Sequence, residues 1–262
     1  MIVLKETRFV EALGRQAKLY IALPNDYNTS TLHYPVLYMH DGHNLFYKED
    51  SYAGAIWDVS ACMDTHPKLK DLIIVALSCS DQNKGRGRFS EYSIFDITLG
   101  KALGTRPITA SGKTYLKYLA ETLKPEIDTR FRTLPDQSNT AMMGSSMGAV
   151  ISNQAAILYP RVFGRIGCLS GAYYVSLPEI VELNQKADFS LIERYYMDTG
   201  DAEEGLGSPE DYLNSHAQVD AILRTKFTPG HYRSKIISGG IHHESAWKAR
   251  LAEVLAFLFP NP

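Results

Sequence analysis

Apolar residues in this chain come in short runs separated by polar turns, and the character of the runs changes along its length. Residues 2 to 10 and 16 to 23 are two segments of β-type content joined by Ala12-Leu13-Gly14-Arg15, which predicts an antiparallel hairpin. PVLYMH (35–40) and DLIIVAL (71–77) are almost uninterrupted apolar runs, the pattern of strands buried on both faces. From Gly112 to Ile127 the spacing of Tyr115, Leu116, Leu119, Leu123 and Ile127 predicts a helix that stops at Phe131-Arg132-Thr133 and a Pro-Asp turn. NTAMM (139–143) is a third buried strand, followed by a small-residue helix, MGAVISNQAAILY (147–159), closed by Pro160. VFGRIGCLS (162–170), LIERYYMD (191–198) and YRSKIIS (232–238) are further strands, while 208–226 and 243–259 have helical periodicity. Strands that alternate with helices require crossover connections, hence an α/β fold with a mostly parallel central sheet and helices on both faces. One domain over 1–262 accommodates every element, and the least regular stretch, roughly 80 to 111, is the expected long loop.

Composition narrows the function classes. A 45% hydrophobic content supports a sizeable core, and a net charge of −2 with both signs interspersed gives no footprint for nucleic acid and no polybasic anchor. Cys62, Cys79 and Cys168 lie far apart with no C-x-x-C pair, so neither a disulfide framework nor a zinc knuckle is expected. The first residues, MIVLKETRFVEALGRQ, interleave charges and lack the apolar core of a secretory signal, and no run approaches the roughly 18 apolar residues of a membrane span. A cytoplasmic protein without a membrane partner is the expectation. The oligomeric state stays open, a homodimer included.

The candidate chemistry sits in TAMMGSSMGAV (140–150). Gly144-Ser145-Ser146-Met147-Gly148 is a G-x-S-x-G pentapeptide between a predicted buried strand and a predicted helix. Such a turn either packs a helix tightly on a sheet or holds the central serine out as a nucleophile, with the following amide facing a developing oxyanion. A serine hydroxyl needs a base, and SGGIHHESAW (238–247) supplies His242 and His243 just before the last helix, where the nucleophile–acid–base chain order places it. The pair has no H-E-x-x-H spacing and no second ligand cluster, so no metal is expected. RYYMDTGDAEE (194–204) offers Asp198, Asp201, Glu203 and Glu204 as the acid that orients the imidazole, and composition does not choose among them. Asp41-Gly42 forms a turn directly after PVLYMH, where a second oxyanion amide belongs. The remaining histidines, His33, His40, His43, His66, His216 and His231, read as ordinary surface or core side chains. Lys84, Arg86 and Arg88 form either a solvated basic loop or a contact for an anionic substrate.

PVLYMHDGHNLF, the Trp57-Asp58 pair, SEYSIF (90–95), YLKYLAETLKPEIDTRFRT (115–133), TAMMGSSMGAVIS, YMDTGDAEE and GGIHHESAW together resemble the esterase branch of the α/β-hydrolases that includes esterase D, feruloyl and acetyl xylan esterases, enterochelin-type siderophore esterases and mycolyltransferases. The resemblance spans about residues 35 to 250 and implies an α/β-hydrolase fold with no large lid and no cofactor. Its histidine motif maps onto His242, with His243 where relatives carry Asn, and its D-x-G-x-x-E/D pattern maps onto Asp198, Gly200 and Glu203. That makes Glu203 the acid and Asp198 a brace for the turn. The mycolyltransferase pattern puts the second oxyanion amide at His43, beside that of Met147. The chain departs from esterase D in lacking its cysteine-containing oxyanion loop. The implied activity is hydrolysis of short-chain acyl or aryl esters, small-molecule substrates, through an acyl-enzyme. Siderophore trilactones, feruloyl or acetylated sugars, and acyl transfer by the same triad are the alternatives. A non-enzymatic binding protein is disfavoured because each needed residue is present.

Overall fold

The computed structural model describes residues 1–82, 85–98 and 106–261. Its strands join in one sheet of order β1-β2-β4-β3-β5-β6-β7-β8. β1 (Ile2–Val10) and β2 (Arg15–Leu23) are the expected hairpin, in register from Ile2↔Leu23 to Val10↔Arg15. β2 runs antiparallel to β4 (Ile73–Leu77), and from there β3 (Val36–Met39), β5 (Thr140–Ser145), β6 (Arg165–Leu169), β7 (Arg194–Gly200) and β8 (Tyr232–Ile237) are all parallel. This is the α/β-hydrolase fold.

The central strands read as unbroken apolar runs because each face has its own core. Val36 and Tyr38 point into one, Leu37 and Met39 into the other, and Met142 is opposed in the same way to Ala141 and Met143. The first core is closed by α3 (Gly112–Tyr118), α4 (Lys124–Arg130), α5 (Met147–Leu158), α6 (Leu177–Lys186) and α7 (Pro209–Leu223), and the second by α1 (Val59–Thr65) and α8 (Glu244–Leu258). α5 has ten of its twelve residues buried. Small side chains all round it, rather than a single apolar stripe, are what a helix enclosed on most sides requires.

Four segments differ from the sequence pattern. The single helix expected from Gly112 to Ile127 comes as α3 and α4 joined by a π-helical stretch, Leu119–Leu123, and continues to Arg130. Pro125 lies in the first turn of α4 and has no amide to donate, so the hydrogen-bond pattern shifts where it enters. The stretch from 80 to 111 is not simply a loop. It contains a further helix, α2 (Arg86–Glu91), and a bridge between Ile97 and Ile108, and it buries Glu91, Tyr92, Ile97 and Ile108. Glu91 is buried because Arg15 of β2 meets it with hydrogen bonds of 2.5 and 2.7 Å, a partner 76 residues away that no local pattern reveals. α1 and α6 are also additions to the expected set. Among the described residues no helix is long and apolar enough to cross a membrane.

Candidate active site

Parallel strands deliver their following loops to one edge of the sheet, and that edge collects His43, Ser146, Met147, Glu203 and His242. Met39 of β3 pairs with Met143 of β5, so the turn carrying His43 and the turn carrying Ser146 emerge side by side. Ser146 follows β5, Ser170 follows β6, Glu203 follows β7 and His242 follows β8.

Ser146 has φ 59 and ψ −123, a left-handed backbone at a residue with a side chain, and is half-buried while its neighbours are buried. That strain holds the serine out at the strand-to-helix turn. The turn closes this tightly because residue 144 has no side chain: a Cβ there would stand 2.8 Å from the His40 ring and 2.9 Å from the backbone of Gly148. Met147 is the first residue of α5, so its amide is one of those a helix N-terminus leaves without an intrahelical partner. His40 fills the space beneath the turn. It is buried, its Nδ1 lies 2.9 Å from the Tyr115 hydroxyl, and burial drives its pKa down to about 3, so it is neutral.

Of the four candidate carboxylates, Glu203 is the one on the imidazole, with Oε2 2.6 Å from His242 Nδ1. Its other oxygen accepts from the Gly200 amide at 2.8 Å and from the Ser170 hydroxyl at 2.5 Å. Burial pushes the Glu203 carboxyl up, yet the hydrogen bonds from His242, Ser170 and Gly200 outweigh it and leave the group below its ordinary value. The two loops meet because Gly200 and Gly240 touch backbone to backbone, where a Cβ on either would collide. Asp198 instead forms a two-pronged pair with Arg250 at 2.7 and 3.0 Å, and also accepts from the Tyr196 hydroxyl and the Ser170 amide. Asp201 accepts from the Gly239 amide. His243 is half-buried and caps α8, its Nδ1 accepting from the Ser245 amide at 3.2 Å.

In the turn after β3, Asp41 takes a left-handed φ of 54 before the 3-10 turn Gly42–Asn44. Arg88 of α2 grips both Asp41 carboxylate oxygens, at 2.9 and 2.7 Å, and also donates to the Ser145 carbonyl at 3.3 Å. The Tyr92 hydroxyl accepts from the Asp41 amide, and its ring lies under the Arg88 guanidinium at 5.1 Å. Arg88 is therefore neither a solvated loop cation nor free for an anionic substrate. Arg86 donates to the carbonyls of Arg106 and Pro107, and Lys84 lies outside the described residues. Asp41, His43 and Cys79 bring potential metal-ligand atoms within 4.8 Å of one another. The Arg88 guanidinium already holds both Asp41 oxygens, a cation where a metal would have to sit, and burial pushes the Cys79 thiol well above its ordinary value, so this trio fits a metal poorly.

Ser146, Met147 and His242 open onto one cavity of about 270 Å³ walled by Phe89, Ala172, Tyr174, Leu206 and Tyr212; the described residues lining it do not include His43. Tyr212 of α7 is buried, its ring 4.8 Å from that of His242 and its hydroxyl 3.4 Å from Nε2.

The model of the Esterase family, described as "Putative esterase", matches residues 10–258. The chain belongs to this family. This esterase is 24% identical over 255 residues to the uncharacterized protein YbbA of Bacillus subtilis (strain 168), covering 95% of this chain and 94% of that one. Its fold is similar to that of a ferulic acid esterase, with a TM-score of 0.72 and 18% identity over 98% of each chain. It is likewise similar to an IroE-like serine hydrolase from Shewanella oneidensis, with a TM-score of 0.73 and 17% identity over 98% of this chain and 80% of that one. The esterase is thus an ester-hydrolysing enzyme.

Several side chains at the site of this esterase carry no signal in the sequence. Ser170 looks like an ordinary Ser-Gly turn after a strand, and Tyr212 and Arg250 sit in helices whose periodicity marks them only as core or surface, while Trp247 closes the histidine motif without a role of its own being legible. Nothing local links them to residues 30 to 80 positions away.

Proposed function

We propose that the protein is a serine carboxylesterase in which Ser146 attacks the ester carbonyl, His242 is the general base and then the general acid, and Glu203 holds the imidazole. The observation that carries this reading is the 2.6 Å contact between His242 Nδ1 and Glu203, because it leaves Nε2 as the acceptor on the wall of the cavity onto which Ser146 opens. Attack moves the serine proton to Nε2 and forms a tetrahedral oxyanion, which the amides of Met147 and His43 stabilise. Collapse expels the alcohol with that proton, and water repeats the sequence on the acyl-enzyme. No cofactor enters these steps.

The cavity wall is aromatic and aliphatic, and among the described residues lining it His242 is the one with a basic side chain. This supports neutral short-chain acyl or aryl esters over anionic substrates. The ferulic acid esterase named above shares the fold and makes an aryl ester the first to try. Three cysteines without disulfides suit a reducing, cytoplasmic setting. The reading is tested by a fluorophosphonate probe with mass spectrometry of the labelled peptide, together with hydrolysis of p-nitrophenyl esters from acetate to decanoate and of methyl ferulate. Label on Ser146 and turnover of the short or aryl esters are expected. Label elsewhere, or none with no turnover, would overturn it.

A further inference from the structure

Behind Glu203 lies a buried hydrogen-bond chain with a fixed direction. The Ser170 hydroxyl is 2.9 Å from Trp247 Nε1, 2.9 Å from Arg250 Nη2 and 2.5 Å from Glu203 Oε1. Indole and guanidinium nitrogens only donate, so the serine oxygen accepts from both and its single proton is left for Glu203. Arg250 is in turn immobilised by its two-pronged pair with Asp198, and Trp247 packs edge-on against His242 at 5.1 Å. Ser170 itself is fully buried at φ 47, a backbone conformation that side chains disfavour, and its amide donates to Asp198. Glycine would hold that backbone with less strain, and a serine there leaves its hydroxyl to be explained.

We infer that Ser170 is a positioning residue for the Glu203–His242 pair. Its hydroxyl proton, aimed by the donor-only side chains of Trp247 and Arg250, fixes one Glu203 oxygen so that the other faces Nδ1. This rests on the reading of Ser146, His242 and Glu203 as the catalytic set. The Gly200 amide holds the same oxygen from the strand side, at 2.8 Å, so two donors define the carboxylate plane. Without the hydroxyl, Glu203 pivots about the remaining bond and the imidazole is less often aligned with Ser146, an effect on turnover rather than on substrate binding.

Ser170→Gly keeps the left-handed backbone and removes only the hydroxymethyl group. With p-nitrophenyl acetate it should lower kcat by roughly 10-fold or more while KM stays within about two-fold. Combined with Glu203→Gln it should cause little further loss, because both changes disable one unit, whereas a residue that merely supports the fold would add its effect in full. Should Ser170→Gly fail to fold, Trp247→Phe removes one of the two aiming donors and keeps an aromatic ring. It should lower kcat several-fold at constant KM, again without adding to Glu203→Gln. Wild-type kcat in the folded variant, a rise in KM alone, or full additivity with Glu203→Gln would overturn the inference. Ser146→Ala measured alongside separates the two levels. If Ser146→Ala is inactive while Ser170→Gly is unimpaired, only the positioning role falls. If Ser146→Ala remains active, the catalytic reading falls with it.

Discussion

Arg88 grips the Asp41 carboxylate through both oxygens and reaches the Ser145 carbonyl with the same guanidinium, tying the turn after β3 to the turn after β5. Burial by itself would push the Asp41 carboxyl up, but Arg88 holds it well below the usual carboxylate range. Arg88→Met leaves a buried, unpaired carboxylate and should destabilise the protein by about 2–4 kcal/mol. It should also lower kcat more than it raises KM, since the Gly42–Asn44 turn loses its anchor. Adding Asp41→Asn to Arg88→Met should restore part of the stability. Urea denaturation of the single and double variants checks this, and a double variant less stable than Arg88→Met would contradict it.

Ser146→Ala should lower kcat/KM by on the order of 10³ or more with the fold intact, because one missing member disables the whole catalytic unit. Ser145, buried at the end of β5, is the internal comparison. Ser145→Ala should do far less. Steady-state kinetics with p-nitrophenyl acetate reads the ratio, and equal losses would place the nucleophile elsewhere.

His242→Ala should match the serine knockout, whereas His243→Ala removes a helix cap. The latter should cost about 1 kcal/mol of stability and change kcat by only a few-fold. Thermal unfolding and kinetics on the two variants separate these effects. The reverse ranking in kcat would hand the base role to His243.

Glu203→Gln should reduce kcat substantially, though less than loss of Ser146, with little change in stability. Asp198→Asn should act mainly on stability, breaking the buried pair with Arg250 at a cost of about 3–5 kcal/mol, and through the loosened Arg250 it should lower kcat less than Glu203→Gln does. Denaturation midpoints beside kcat values decide it, and a stable Asp198→Asn that loses more kcat than Glu203→Gln would contradict the assignment.

Burial depresses three histidines, His43 among them, and takes His40 to about 3 and His216 to about 4 from an ordinary 6.5. Between those values the unfolded chain binds more protons than the folded one. Stability is therefore full above about pH 6.5 and declines as the pH falls toward the folded values. Each histidine contributes up to about 1.4 kcal/mol per pH unit in that window. His216→Gln should make the decline between pH 6 and 4.5 shallower by about that amount, as measured by urea denaturation across the range. A slope identical to wild type would show that His216 protonates without unfolding.

Local pattern determined most of the fold and the identity of the catalytic candidates. Alternating hairpin residues and unbroken apolar runs are direct consequences of how many faces a strand buries, and the G-x-S-x-G spacing between a strand and a helix marks the turn, although the space beside Gly144 is taken by the His40 ring that follows β3. The extended motif carried Glu203 and His242 by resemblance, while the residues alone left four carboxylates and two histidines open. Only the tertiary structure brings one of those carboxylates, Glu203, onto His242 Nδ1, because that contact depends on the Gly200–Gly240 approach between two loops about 40 residues apart. The same holds for the stretch from 80 to 111, read as a loop because it carries NKGRGR and few core residues, whereas the charged Glu91 is buried and the charged Arg88 half-buried. Charged side chains go inside only when a partner waits there, and Arg15 and Asp41 stand 76 and 47 residues away. A sequence records each half of such a pair, and only the folded chain brings the halves within 3 Å.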